Sequence, residues 1–371
     1  WNSILADISK SRGIPATQLN QIADGLLART PEMAKANKLV DKIAYEDVYH
    51  DDIRKILKVD TDEDYNTISI LDYAENNATT TKDYSDKDKI AVIYAQGEIK
   101  NGEGDVNEIG EGSMRRALKE ARTDENIKAI VLRIDSPGGN ALTSELIWRE
   151  LELTKKVKPI VVSMGNYAAS GGYYIACNAN KIFAEENTIT GSIGVFGILP
   201  NFTQLTTKMG INVEQVNTNK NAADYSVFRP LDENFRAFTL EGVEKIYNTF
   251  VNHVASGRKM TYAQVDAIGQ GRVWSGSDAV KIGLVDKIGG LDDALKYAAD
   301  LAKIKDYKTQ NFPEYNKNFQ DLLGKLPFMQ SKESFVKAEV GEENYKVIEQ
   351  IRKVQAKKGI QAAMPFEITI Q

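Results

Sequence analysis

The chain is poor in the side chains that most often carry metal binding and acid–base chemistry. It has one cysteine and two histidines among 371 residues. The single cysteine, Cys177, excludes an intrachain disulfide framework and any zinc site built on cysteines, and its small and apolar neighbours read as core packing. His50 lies in the polar run Tyr-His-Asp-Asp and His253 in a long helical region, and neither has the spacing to a second donor that a metal site needs. Long apolar runs are also missing: none approaches the roughly 18 residues required to span a bilayer. Nothing at Trp1 reads as a secretory signal. The net charge is −5 and Lys and Arg are scattered, so no basic groove for nucleic acid is expected. The glycine-rich loop over 102–112 lacks a following Gly-Lys-Ser/Thr, which removes a nucleotide site. Neither a metal nor a cofactor is expected.

What the chain does have is a set of glycine-rich turns at the ends of buried strands. At 42% hydrophobic residues it can bury a sizeable core, and its length exceeds one typical domain. The central stretch is Pro159-Ile-Val-Val-Ser-Met-Gly-Asn-Tyr-Ala-Ala-Ser-Gly-Gly-Tyr-Tyr-Ile175. Ile160 to Val162 reads as a buried parallel strand, Gly165 and Asn166 as its break, and Ala168 to Cys177 as a buried helix. Ser170 then sits at a strand-to-helix turn, where unpaired backbone N–H groups would stabilise a nucleophilic oxygen and the oxyanion it generates. The same stretch also fits a plain serine N-cap with glycines for close packing.

Two further turns favour chemistry. Ile127 to Ile134 is a second buried-strand run and ends in Asp135-Ser-Pro-Gly-Gly139. With the helical segment Leu142 to Lys155 it forms a βαβ unit, whose strand ends share one edge of the sheet. Gly138 and Gly139 can therefore present N–H groups near Ser170. The third turn is Ile189-Thr-Gly-Ser-Ile-Gly194, in which Ser192 follows Ser170 by 22 residues. A Ser-His-Asp triad would need one of the two histidines beside Ser170. Lysine is the more economical base, since desolvation lowers its pKa toward neutrality.

Ser-Pro-Gly-Gly, Ala-Ala-Ser-Gly-Gly-Tyr and Thr-Gly-Ser-Ile-Gly, in this order and separation, resemble the signal peptide peptidase A (protease IV) family over residues 88–305. The resemblance implies an α/β spiral of ββα units of the Clp protease/crotonase-like type and a serine–lysine peptidase. It implies Ser170 as nucleophile, Gly171 with the Gly138–Gly139 turn as the oxyanion hole, and Ser192 as the hydroxyl that orients the lysine base. It further implies cleaved signal peptides and other short hydrophobic peptides as substrates. A homotetramer at the periplasmic face of the bacterial inner membrane is the implied setting, anchored through an N-terminal part.

An internal repeat bears on the lysine. Lys38-Leu-Val-Asp-Lys-Ile43 recurs with one change as Gly283-Leu-Val-Asp-Lys-Ile288, and the segments upstream stay collinear with one gap. Residues 1–57 are therefore expected to be the tail of a first domain copy, 58–88 a connector, 89–305 the catalytic serine domain and 306–371 a C-terminal helical extension. Long members of the family place the lysine in the first copy, ahead of the point where this chain begins. Short members place it in the serine's own domain, at a position that falls on Ala223 here. Lys220 is the nearest lysine, and it also reads as a solvated loop residue. Two other classes fit parts of the pattern: a crotonase-like acyl-CoA enzyme, which would need a carboxylate in the pocket, and a non-catalytic scaffold fragment.

Overall fold

The computed structural model describes residues 1–60, 65–68, 73, 88–211, 213–215, 225–314 and 361–363. The chain divides into two compact units, Trp1–Ser85 and Asp86–Gln371.

The described part of the first unit is helical: α1 (Asn2–Arg12), α2 (Ala16–Asp24), α3 (Pro31–Ala36) and α4 (Glu46–Leu57). Gly13 ends α1 in the left-handed conformation that a glycine adopts without Cβ strain. Pro31 opens α3 at a position where its missing N–H costs nothing, and Thr30 caps Met33 N–H. Thr67 to Leu71 has the residue pattern of a short strand, but Thr67 and Ile68 form none, and 69–71 lie outside the described residues.

The second unit runs β1 (Lys89–Gln96), β2 (Glu98–Lys100), β3 (Gly104–Asp105), β4 (Glu108–Gly110), α5 (Glu111–Thr123), β5 (Ile127–Ser136), β6 (Gly138–Asn140) and α6 (Ala141–Lys155). It continues through β7 (Ile160–Ala169), α7 (Gly171–Ala176), β8 (Lys181–Ala184), β9 (Ile189–Gly191), α8 (Thr203–Lys208), α9 (Glu233–Arg258) and α10 (Tyr262–Ile268). The remaining described elements are β10 (Val273–Ser275), α11 (Gly276–Lys281), β11 (Lys287–Ile288), α12 (Leu291–Ala302), β12 (Lys308–Phe312) and β13 (Gln361–Ala363).

One sheet has the order β10-β9-β7-β5-β1-β12, with β8 also on β7 and β11 on β8. All its pairs are parallel except β10 with β9. The central strands are covered on both faces, which explains their unbroken apolar runs. Ile130 and Leu132 join Met114, Leu118, Ile147 and Leu151 on one side. Ala129 and Val131 join Ala294 and Ala298 on the other. A smaller sheet, β13-β6-β2-β4-β3, carries the glycine turn.

Gly165 and Asn166 do not end the strand: β7 continues to Ala169, and its register against β5 jumps from Ile134↔Met164 to Ser136↔Ala168. The extra residues form a bulge whose polar groups are met, since Tyr167 N–H donates to Asp135 Oδ1 at 3.0 Å and Thr188 Oγ1 to the Gly165 carbonyl at 2.8 Å. The helix accordingly starts at Gly171 rather than Ala168. The tail, expected as helical, contributes β12 to the edge of the main sheet and β13 to the smaller one. Within that tail, 342–358 has a helical sequence pattern and lies outside the described residues. Ile211 to Val216 alternates like a strand in sequence, but none is formed at Ile211 or at 213–215.

The two Leu-Val-Asp segments make matching bonds. In the first unit Arg12 Nε donates to the Lys38 carbonyl at 2.9 Å and Arg12 pairs with Asp41 at 2.9 Å. In the second, Arg258 Nε donates to the Gly283 carbonyl at 3.0 Å and Arg258 pairs with Asp286 at 3.0 Å. Leu5, Leu19 and Leu39 occupy the positions of Val251, Val265 and Leu284, all six in apolar clusters.

Candidate active site

Ser170 is fully buried at the junction of β7 and α7, with φ 52° and ψ −115°. A residue with a Cβ pays for that backbone, and such strain persists only where the surroundings hold it. Here the Ser170 N–H donates to the Gly191 carbonyl at 2.8 Å and its own carbonyl accepts from Tyr174 N–H at 2.8 Å. Gly171, the first residue of α7, has no intrahelical acceptor for its N–H.

The bulge in β7 brings the second turn alongside. Because Ser136 is level with Ala168, the chain beyond β5 turns through Pro137, Gly138 and Gly139 next to Ser170. The approach is close: a Cβ on Gly172 would lie 2.7 Å from the Ser136 carbonyl oxygen, and one on Gly139 would lie 2.1 Å from that of Ile99. The Gly138 N–H donates to Ser136 Oγ at 3.1 Å, so in this state that donor is turned to a hydroxyl.

The third turn lies on the other side. β9 is parallel to β7 with Ala169 opposite Gly191, so Ser170 and Ser192 leave the two strands at matched positions. Both have positive φ, 52° and 49°. Ser192 N–H donates to the Arg272 carbonyl at 2.7 Å and its hydroxyl reaches the Gly271 carbonyl at 3.4 Å. Ser170 Oγ stands 3.5 Å from the Gly194 carbonyl oxygen, a weak contact that leaves the hydroxyl available.

Neither histidine bonds Ser170. His50 meets the Tyr65 hydroxyl in the first unit, and His253 meets Glu145. Lys220, Ala223 and their neighbours lie outside the described residues, and among the described lysines no hydrogen bond reaches Ser170 or Ser192. Cys177 offers no rival nucleophile, because full burial pushes its thiol up to about 12. No described helix is long and apolar enough to cross a membrane.

The model of peptidase family S49 matches residues 152–305, the span that contains both Ser170 and Ser192. An Enterococcus faecium protein assigned to signal peptide peptidase SppA is 34% identical over 249 residues, 64% of this chain and 72% of its own length. The chain belongs to peptidase family S49. Protease 4 of Salmonella typhi is 38% identical over 320 residues, 83% of this chain and 50% of its own. The chain thus spans about half the length of the Protease 4 relatives it matches. A solved ClpP1 mutant from Listeria monocytogenes aligns with 55% of this chain and 94% of its own at 16% identity and a TM-score of 0.38. The second unit has the α/β architecture with a mostly parallel sheet expected from the sequence.

Sequence reasoning missed the bulge that makes the two turns adjacent. It also missed the bond from the Tyr174 hydroxyl to Glu145 that joins the two helices following the turns. The signal for the bulge was the pair Gly165–Asn166, which reads equally as a strand end.

Proposed function

We propose that this S49 chain is the serine-bearing half of a serine–lysine endopeptidase acting on extended hydrophobic peptides, cleaved signal peptides among them. The observation that carries the reading is the strained, buried Ser170 with the Gly138–Gly139 turn drawn beside it by the register of β5 and β7. Ser170 Oγ attacks the scissile carbonyl and its proton passes to a neutral lysine amine. The oxyanion receives the Gly171 N–H and a donor from the glycine turn, with Gly138 giving up its bond to Ser136 Oγ as the charge develops. The lysine then protonates the leaving amine, and water hydrolyses the acyl-enzyme by the reverse route. Ser192 orients the lysine.

The outer edge of the glycine turn suits an extended substrate. Gln361–Ala363 already lies there as an antiparallel strand, with Ala362 opposite Gly139, so the edge accepts a peptide backbone. The first unit, with its repeat of the Arg–Asp pair, is the tail of a like domain that supplies the lysine; Lys220 is the alternative base. In the assembled protein, four protomers stand at the periplasmic face of the inner membrane.

The test is hydrolysis of a fluorogenic hydrophobic peptide by the chain and by Ser170→Ala, each alone and with the first half of the longer protein added. Activity should require both the added half and Ser170, with a loss of about a thousandfold or more on substitution. Activity of the chain alone that vanishes in Lys220→Ala would move the base to Lys220. Equal rates for wild type and Ser170→Ala would remove the peptidase reading.

A further inference from the structure

The glycine turn and the nucleophile each lead a helix. Asn140 caps α6, its side chain accepting from Thr143 N–H at 2.9 Å. Ser170 leads α7, whose Tyr174 N–H returns to the Ser170 carbonyl at 2.8 Å. The gap between the oxyanion donors and the attacking oxygen is therefore governed by how α6 and α7 are fastened together.

One carboxylate oxygen fastens them. Glu145 Oε2, in the first turns of α6, accepts from the Tyr174 hydroxyl of α7 and from His253 Nε2 of α9 at 2.9 Å. The His253 ring is stacked on Trp148 of α6, centroids 3.5 Å apart and planes 13° apart. It meets the Tyr174 ring edge-on at 5.4 Å, while Phe250 packs on Tyr174 at 4.5 Å. Three helices thus meet at a single acceptor.

We propose that Glu145 and His253 are positioning residues of the active site, holding the helix of the glycine turn against the helix of the nucleophile at a separation that suits attack. The inference rests on the assignment of Ser170 as nucleophile. Simple packing would be served as well by apolar side chains, whereas this site keeps a half-buried carboxylate. Burial alone would raise the Glu145 carboxyl; the bonds from His253 and Tyr174, with the nearby Arg149 guanidinium, instead hold it below the usual carboxylate range. Burial and the Glu145 carboxylate push the Tyr174 hydroxyl well up, so it remains a donor. Arg149 of α6 acts on the Glu145 carboxylate, and Cys177 of α7 lies close enough to act on the Tyr174 hydroxyl. Loss of either donor leaves the carboxylate free to turn toward solvent, and a misplacement of about 1 Å at a reacting centre can cost on the order of a hundredfold in rate.

The test compares His253→Phe, which keeps the ring stack without the donor, with His253→Gln, which keeps an N–H donor without the ring. Peptide hydrolysis by the two-half protein should fall about tenfold in kcat for His253→Phe with KM within about twofold, and His253→Gln should recover most of it. Tyr174→Phe, which removes the donor from α7, should reproduce the kcat loss and serves if His253→Phe does not fold. Tryptophan emission gives a readout independent of catalysis: the Trp148 contribution should change in His253→Gln, because Trp148 stacks on that ring. Folded His253→Phe and Tyr174→Phe with wild-type kcat would overturn the proposal, as would tryptophan emission unchanged in His253→Gln. If Ser170→Ala hydrolyses like wild type, it is the peptidase reading that fails, and the emission result still reports on the cluster.

Discussion

The same local structure occurs in both units of this chain, and only in the second are its polar groups enclosed. Each copy ends a helix with a left-handed residue, Gly13 or Lys259, and follows it with a short helix and a Leu-Val-Asp run. In the second unit Tyr173 donates its hydroxyl to the Leu284 carbonyl at 2.8 Å, and Asp286 accepts the Ile182 N–H at 2.8 Å while pairing with Arg258 and Lys181. In the first, Asp41 has Arg12 as its ion-pair partner and its side chain is 86% exposed, against 22% for Asp286. Trp1, Leu5, Ile8, Leu19, Ile22 and Leu39 line an apolar hollow of about 370 Å³ where the second unit has its core. One sequence pattern thus yields a cornerstone in one place and an open face in the other. The difference lies in what packs against it.

Breaking the Arg–Asp pair in each copy should separate the two most strongly. Arg258 has only 7% of its side chain exposed and lies beside Tyr173 and Cys177. Arg258→Ala would leave Asp286 partly buried without its main partner, at a cost of about 3 kcal/mol, the lower end for a broken buried pair. Hydrogen exchange resolved by peptide should show the loss over β8 and residues 283–288. Arg12→Ala should leave exchange in its own unit almost unchanged, since its pair is solvated. Equal effects would mean that the enclosure of the second copy contributes nothing to its ion pair.

A smaller effect tests the tyrosine alone. Tyr173→Phe keeps the ring and removes one buried donor, leaving the Leu284 carbonyl without its hydroxyl partner. The expected cost is about 1–2 kcal/mol, read as a lowered unfolding midpoint at unchanged denaturant slope. A neutral result would show that Leu284 finds another donor.

The same contrast explains what could be read from the sequence. The three glycine-rich turns were legible because turn chemistry is local and because buried parallel strands announce themselves as continuous apolar runs. The repeat was legible from collinear residues. The register that brings Ser136 level with Ala168 was not, because a bulge at Gly165 depends on Asp135 and Thr188, which come from other strands and loops. β12 was missed because Lys308–Phe312 is an edge strand with only Phe312 buried, so its sequence shows no apolar run. Glu145, Tyr174 and His253 stand 29 and 108 residues apart in their two bonds, and no local pattern links them.

The smallest effect is also the most selective one, because it needs no substitution. The Arg258 bond and charge, the Ile182 N–H and Lys181 hold the Asp286 carboxyl below its ordinary value against burial, which would raise it. The Arg12 bond holds Asp41 below its ordinary value as well. A folded-state value below the unfolded one gives stability that is complete above the ordinary carboxylate range and is lost as pH falls through that range to the folded value. Both copies should therefore loosen on acidification. The second should do so with little response to salt, since its pair is enclosed, whereas the first should respond less at high ionic strength, where a solvated pair is already screened. Peptide-resolved exchange at two salt concentrations, corrected for intrinsic rates between about pH 3 and 6, separates the cases. If the acid loosening of residues 283–288 is abolished by salt as readily as that of residues 38–43, Asp286 is solvated in solution and the two copies differ in packing alone.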